Sequence, residues 1–215
     1  MILFDKLEEQ KDKYRLDFLL AKPFSYLAID HFCDEEKINQ LYNEIPDIQT
    51  KSRDYVFASN KFEKSKIRDI SPLFAELCDD LLSQKFEDFL KYVTNQSVFV
   101  DKAFHGGGIH QGKKSSFLDM HLDFNYHPLH NNWYRYLNLL LYLNKDWKPE
   151  YGGHLKLKDL RTNEEADIEV PFNRMVIQLT NNYTLHGYSI TNFPEGNYRT
   201  SIAVSYTHLT LPTKA

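Results

Sequence analysis

"RYLNLLLYL" (residues 135–143) is the stretch on which the fold turns. Leucine and tyrosine fill the run from Tyr136 to Leu143, broken only by Asn138. An apolar run this short, with Asn and Asp just beyond it, reads as a buried strand near the middle of a sheet. Outward from it lie further short, β-rich pieces: "SVFVDKAF" (97–104), "GHLKLKDL" (153–160), "ADIEVP" (166–171), "RMVIQLT" (174–180) and "RTSIAV" (199–204). "HLKLKDL" alternates strictly and so has one wet face, whereas "RMVIQL" is nearly continuous and belongs deeper in the sheet.

Before residue 97 the period changes. "CDEEKINQLYNEIP" (33–46) opens on Asp34 as N-cap, carries acids in its first turn, spaces Ile38, Leu41 and Ile45 helically, and stops at Pro46. "SPLFAELCDDLLSQKFEDFLKYV" (71–93) has Ser71 as cap and Pro72 in the first turn. Its wide apolar face, from Leu73 to Val93, is predicted to make one long helix lying on a sheet. The expected class is mainly β with flanking helices (α+β), a β-sandwich or jelly roll with N-terminal helices packed on one sheet. Residues 1–96 would be a helical and strand support region of the same domain, and residues 97–204 its core.

The 215 residues, 42% hydrophobic and 26% charged, suit one globular domain. A formal net charge of −4 gives no basic face, so nucleic acid is not an expected partner. The basic run "KFEKSKIRD" (61–69) is interrupted by acids and reads as a solvated loop. Cys33 and Cys78 belong to no C-x-x-C pair, there is no signal-peptide pattern, and no apolar run approaches bilayer length. A cytoplasmic protein without a membrane partner is expected; oligomeric state is not legible.

The chemistry gathers in "FLDMHLDFNYHPLH" (117–130). Ionisable groups beside so much apolar surface are costly to bury unpaired, and a metal site in a barrel wall is one resolution. On a strand, His121 and Asp123 would point to one face and supply two ligands of a 2-His-1-carboxylate set. His186 in "NNYTLHGYSI" is the candidate third ligand, although a lone histidine there also reads as an ordinary core residue. Thirteen residues on, Arg199 and Ser201 would share a strand face, offering a guanidinium fork and a hydroxyl to a carboxylate.

The ordered set "HLD" (121–123), "RYLNLLLYLNKDW" (135–147), "YGGHLKL" (151–157), "PFNR" (171–174), "LHG" (185–187) and "RTSIAV" (199–204) resembles the Fe(II)/2-oxoglutarate-dependent dioxygenases, specifically their prolyl 4-hydroxylase-like branch. The resemblance implies a double-stranded β-helix in which His121, Asp123 and His186 hold Fe(II) and Arg199 pairs with the distal carboxylate of 2-oxoglutarate. Tyr142 matches a family tyrosine that supports that carboxylate. Asn138, four residues earlier on the strand, would share its face. The implied reaction couples oxidation of 2-oxoglutarate by O2, giving succinate and carbon dioxide, to hydroxylation of an unactivated C–H bond, with ascorbate as reductant. A prolyl residue is the implied substrate. The alternatives are a small molecule, a sugar or a free amino acid, or a non-catalytic metal-binding jelly roll.

The remaining expectations concern the margins of the site. Leu140, Ile177 and Leu179 are candidates for a dry wall. "HGGGIHQG" (105–112) reads as a flap or a hairpin loop, and His127 and His130 as a solvated loop. From Ser205 the ending "SYTHLTLPTKA" looks like translated adaptor sequence, a suspected non-native tail, so no site residue is expected beyond Val204.

Overall fold

The computed structural model describes residues 1–48, 58–102, 104, 107–123 and 125–209. Five helices precede most of the strands: α1 (Phe4–Glu9), α2 (Lys11–Leu20), α3 (Glu35–Asn43), α4 (Pro72–Leu81) and α5 (Gln84–Thr94). No helix among the described residues is long and apolar enough to cross a membrane. The cap of α3 forms as its sequence demands, Asp34 accepting the backbone N–H of Lys37 at 2.9 Å. The long helix expected over 71–93 is in fact two. Leu82 caps the C-terminus of α4, and Ser83, accepting the N–H of Phe86, caps the start of α5. The apolar spacing slips between Leu81 and Phe86, and the break lets both faces stay on the sheet. Helices α1 and α2, unforeseen in the charged N-terminal stretch, are held through few buried residues: Leu7, Tyr14 and Phe18.

The strands are β1 (Tyr26–Ile29), β2 (Ala58–Lys64), β3 (Phe99–Val100), β4 (Gly108–His121), β5 (Tyr126–His127), β6 (His130–Tyr142), β7 (Leu155–Asp159), β8 (Glu165–Ile168), β9 (Arg174–Leu179), β10 (Thr184–Tyr188) and β11 (Arg199–Leu209). They form one antiparallel sheet in the order β1-β9-β6-β11-β4-β10-β7-β8, with β2 on β4, β3 on β11 and β5 on β6. The sheet curls into a half-barrel with helices on one side, the mainly-β class with flanking helices expected above. β6 is central, as its composition requires. β1 and β2 join the same sheet from before residue 97.

Alternation along the central strands sorts two cores. Leu137, Leu139 and Leu141 of β6 join Ile177, Ile202, Val204 and Tyr206 in one apolar cluster with Phe74, Leu77, Phe86 and Leu90 of the helices. Leu140 and Tyr142 face the other way, into a second cluster with Leu155, Leu157, Val176 and Ala203. Residues 205–209, whose sequence looks foreign, continue β11 beside β6. Tyr206 is fully buried there and donates its hydroxyl to the Leu81 carbonyl. Residues 210–215 of that ending lie outside the described residues.

Two loop readings change. "KFEK" (61–64) is strand, with Phe62 buried and Lys61 and Glu63 on the opposite face. The glycine-rich segment is strand from Gly108 onward; His105 and Gly106 lie outside the described residues. His127 and His130 are a paired turn of the β5–β6 hairpin, and His127 Nε2 lies 3.2 Å from Asp101.

Candidate active site

His121 ends β4, and Asp123 follows two residues beyond it, not on the strand as the same-face argument assumed. The carboxylate nevertheless turns inward. His186 lies on β10 directly opposite His121 in the antiparallel ladder. One ligand atom from each of His121, Asp123 and His186 lies within 4.8 Å of the others. His121 Nε2 is 3.9 Å from Asp123 Oδ1, and His186 Nε2 is 3.9 Å from Asp123 Oδ2.

Gly187 makes this approach possible. A Cβ there would lie 2.5 Å from the Leu118 carbonyl oxygen and 2.9 Å from that of Asp119, so only glycine lets β10 close against β4 beside the two histidines.

The local hydrogen bonds prepare these groups as ligands. His121 Nδ1 is 2.8 Å from the Asp119 carbonyl, which can only accept, so the proton sits on Nδ1 and Nε2 is left with its lone pair. Asn138 donates to Asp123 Oδ2 at 3.3 Å, and Arg135 Nη1 is 3.4 Å from Oδ1. Burial pushes the Asp123 carboxyl up, but the neighbouring His186, Arg135 and His121 together hold it below its ordinary value. Burial depresses His186 to about 4, so its imidazole is neutral at ordinary pH and available to a metal.

A cavity of about 450 Å³ opens on this cluster, and Arg199, Ser201, Asn138 and Leu140 line it. Arg199 is 6% exposed, with Nε donating to the Gly153 carbonyl at 2.7 Å and its guanidinium 4.0 Å over the Tyr188 ring. Gly153 admits it, since a Cβ on that residue would stand 2.9 Å from Arg199 Cδ. Among the described residues no carboxylate pairs with Arg199. A buried cation facing a cavity without an anion is short of several kcal/mol, on the order of the desolvation cost of one ion.

That shortage is the test of fit. An imidazole–carboxylate–imidazole donor set suits a divalent iron with open positions, and a dicarboxylate reaching from it to Arg199 supplies the missing charge. Tyr142 does not reach the cavity surface, being fully buried, but its hydroxyl is 3.4 Å from Arg199 Nη2. Burial raises its phenol, which therefore stays protonated and able to donate. Of the wall candidates, Leu140 lines the cavity, while Ile177 lies in the helix-side core and Leu179 packs beside the inner cluster.

Sequence reading missed four charged or titratable neighbours, Lys61, Glu63, His110 and Arg135, and also Ser205, from beyond the expected limit of Val204. The period-two pattern Lys61-Phe62-Glu63 was the available signal for β2. For Arg135 there was none.

His110 carries a pH prediction. Burial, helped by the charge on Lys61, lowers its pKa to about 4. Between about pH 6.5 and pH 4 the unfolded chain then binds a proton that the folded one refuses, so stability falls as pH falls through that window. From pH 7 to pH 5 this group should cost the metal-free protein about 1–2 kcal/mol. Thermal melts at the two pH values check it, and His110→Asn should shrink the difference; an unchanged difference refutes the assignment.

The 2OG-Fe(II) oxygenase superfamily profile matches residues 107–206. A search of curated protein sequences finds no match. Among solved structures, a Pseudomonas putida prolyl-4-hydroxylase superposes with a TM-score of 0.63 at 15% identity, covering 92% of this chain and 99% of its own. A prolyl hydroxylase from Trichoplax adhaerens, solved with a hypoxia inducible factor oxygen degradation domain peptide fragment, gives 0.62 at 13%, covering 94% and 92%. HygX from Streptomyces hygroscopicus, solved with nickel and 2-oxoglutarate, gives 0.58 at 18%, covering 85% and 82%. Identities this low establish a shared fold.

Proposed function

We propose, from the premise that this chain is a 2OG-Fe(II) oxygenase, an oxidoreductase dioxygenase using iron and 2-oxoglutarate, that it hydroxylates a prolyl residue of a peptide or protein. The observation that carries the site assignment is the buried Arg199, with no carboxylate partner among the described residues, in the same cavity as the His121, Asp123 and His186 cluster. A prolyl substrate is supported by fold likeness to prolyl hydroxylases over nearly the whole chain.

In this reading His121, Asp123 and His186 hold the iron. When bound with 2-oxoglutarate and O2, the metal supplies the oxidising chemistry that yields succinate, carbon dioxide and a hydroxylated C–H position. The chain's own contribution is placement. The Asp119 carbonyl fixes the His121 tautomer, and Asn138 and Arg135 steady the Asp123 carboxylate. Arg199 binds the distal carboxylate of 2-oxoglutarate, with Ser201 on the same cavity wall and the Tyr142 hydroxyl supporting the guanidinium from behind. Leu118, Leu140, Leu155 and Ala203 on the cavity wall keep water from the reacting centre. Ascorbate is the proposed reductant that keeps the iron ferrous.

The test is incubation with Fe(II), 2-oxoglutarate, ascorbate and a panel of proline-containing peptides. Expected are succinate release and a gain of one oxygen atom on a proline, located by fragmentation mass spectrometry. Oxygen appearing only on a small molecule, sugar or free amino acid from a parallel panel would overturn the prolyl assignment.

A further inference from the structure

The pairing of β6 with β11 contains a slip. Ser201 through Tyr206 oppose Tyr142 through Leu137 in unbroken register, but Thr207 opposes Arg135, leaving Tyr136 as an extra residue. A bulge reverses the alternation on its far side. Without it, Arg135 and Trp133 would share the face of Leu137 and Leu139, against the helices. With it, they share the face of Asn138 and Leu140. Arg135 accordingly lines the cavity, with its side chain 15% exposed.

Farther along the strand, Trp133 heads an aromatic wall. Its ring stacks on His130 at 3.9 Å between centroids and meets Phe99 edge-on at 5.0 Å. His127 lies 5.1 Å from it. An aromatic cluster of stacked, tilted and edge-on rings thus sits two residues along the strand from Arg135 and on its face of the sheet.

Charge decides what this surface takes. Among the described lining residues the cations are Lys61, Arg135 and Arg199, and the carboxylates are Glu63 and Asp123. As metal ligands His121 and His186 count as neutral imidazoles, and His110, the remaining lining histidine, is kept uncharged by burial. Fe(II) and the 2-oxoglutarate dianion would cancel each other, so the described lining residues leave one positive charge in excess. Lys61 pairs with Glu63 at 2.9 Å, and Arg199 is matched by the cosubstrate. The excess falls on the Arg135–Asp123 pair, 3.4 Å apart, because the Asp123 carboxylate would also serve the metal. A largely buried guanidinium in that position calls for an anion from outside.

We propose that Arg135 and the Trp133 wall form a substrate subsite that takes a carboxylate adjacent to the residue being hydroxylated, so that the substrate is an acidic peptide segment. The peptide part rests on the prolyl reading above, while the carboxylate preference rests on the bulge and the charge count.

Three peptides, identical except for Glu, Gln or Lys beside a central proline, would be titrated by calorimetry into anaerobic protein holding Fe(II) and 2-oxoglutarate. The Glu peptide should bind about tenfold more tightly than the Gln peptide, as one charge-assisted hydrogen-bonded pair provides, and the Lys peptide most weakly. Arg135→Gln should bring all three within about twofold, and Arg135→Glu should reverse the order. Iron affinity of each variant, measured in the same instrument, separates loss of the subsite from loss of the metal. Equal affinity for the Glu and Gln peptides in the unaltered protein overturns the proposal, even if the variants fail to fold. So does binding of none of the three. On admitting oxygen, an intact acid preference without oxygen gain on proline sinks the prolyl reading alone; oxygen gain without the preference sinks the subsite alone.

Discussion

Replacing His121 with alanine should abolish succinate production, to below about 1% of the unaltered protein, because His186 and Asp123 alone cannot hold a metal against water and buffer. The effect should be confined to the site. The His121 side chain is a third exposed and its ring donates to the Asp119 carbonyl, so the metal-free variant should melt within about 1 °C of the parent. Iron binding by calorimetry and succinate by coupled assay read the two halves separately. Turnover that survives the substitution would end the assignment of His121 as a ligand.

Arg199→Gln should act with opposite signs on affinity and stability. Loss of the charge-assisted pair with the distal carboxylate should raise the KM for 2-oxoglutarate about 100-fold, the equivalent of roughly 3 kcal/mol. The ligand-free protein should not lose stability, since a buried charge with no carboxylate partner among the described residues leaves with the guanidinium. Steady-state kinetics in 2-oxoglutarate and a thermal melt measure both. An unchanged KM would place the cosubstrate elsewhere, and a large fall in melting temperature would mean that Arg199 is a structural member of the core.

The residues that carry chemistry were the legible part of this site. His121, Asp123, His186 and Arg199 are recognisable by type and order, and the structure brings them to one cavity. Even so, the reason offered for the first pair was incomplete, because β4 ends at His121 and a turn, not strand alternation, delivers Asp123. Where position depends on pairing with a distant strand, the sequence is silent. Arg135 reads as a residue on the helix-facing side until the slip against Thr207 is known. Lys61 and Glu63 were hidden for a different reason: their charges outweighed the period of the strand that bears them. The split between α4 and α5 was written in Ser83, a good N-cap overlooked inside a continuous amphipathic pattern. Ile177 was assigned to the wall because apolar character alone does not say which of two cores a strand residue faces.

The half-barrel is thinnest where β4 meets β10. Those strands pair only at His121 with His186 and at Leu118 with Tyr188, with a shift between them. β10, β7 and β8 join the rest of the sheet across that seam, with Thr191 just beyond β10 adding backbone bonds to Ser115 and Ser116 of β4. Both candidate imidazole ligands stand on opposite lips of the seam, so ligation would rivet it shut. Iron would then set the local opening free energy of this flank as well as its chemistry, and amide hydrogens of β7 and β10 would exchange with solvent far more slowly in the metal-loaded protein than in the stripped one.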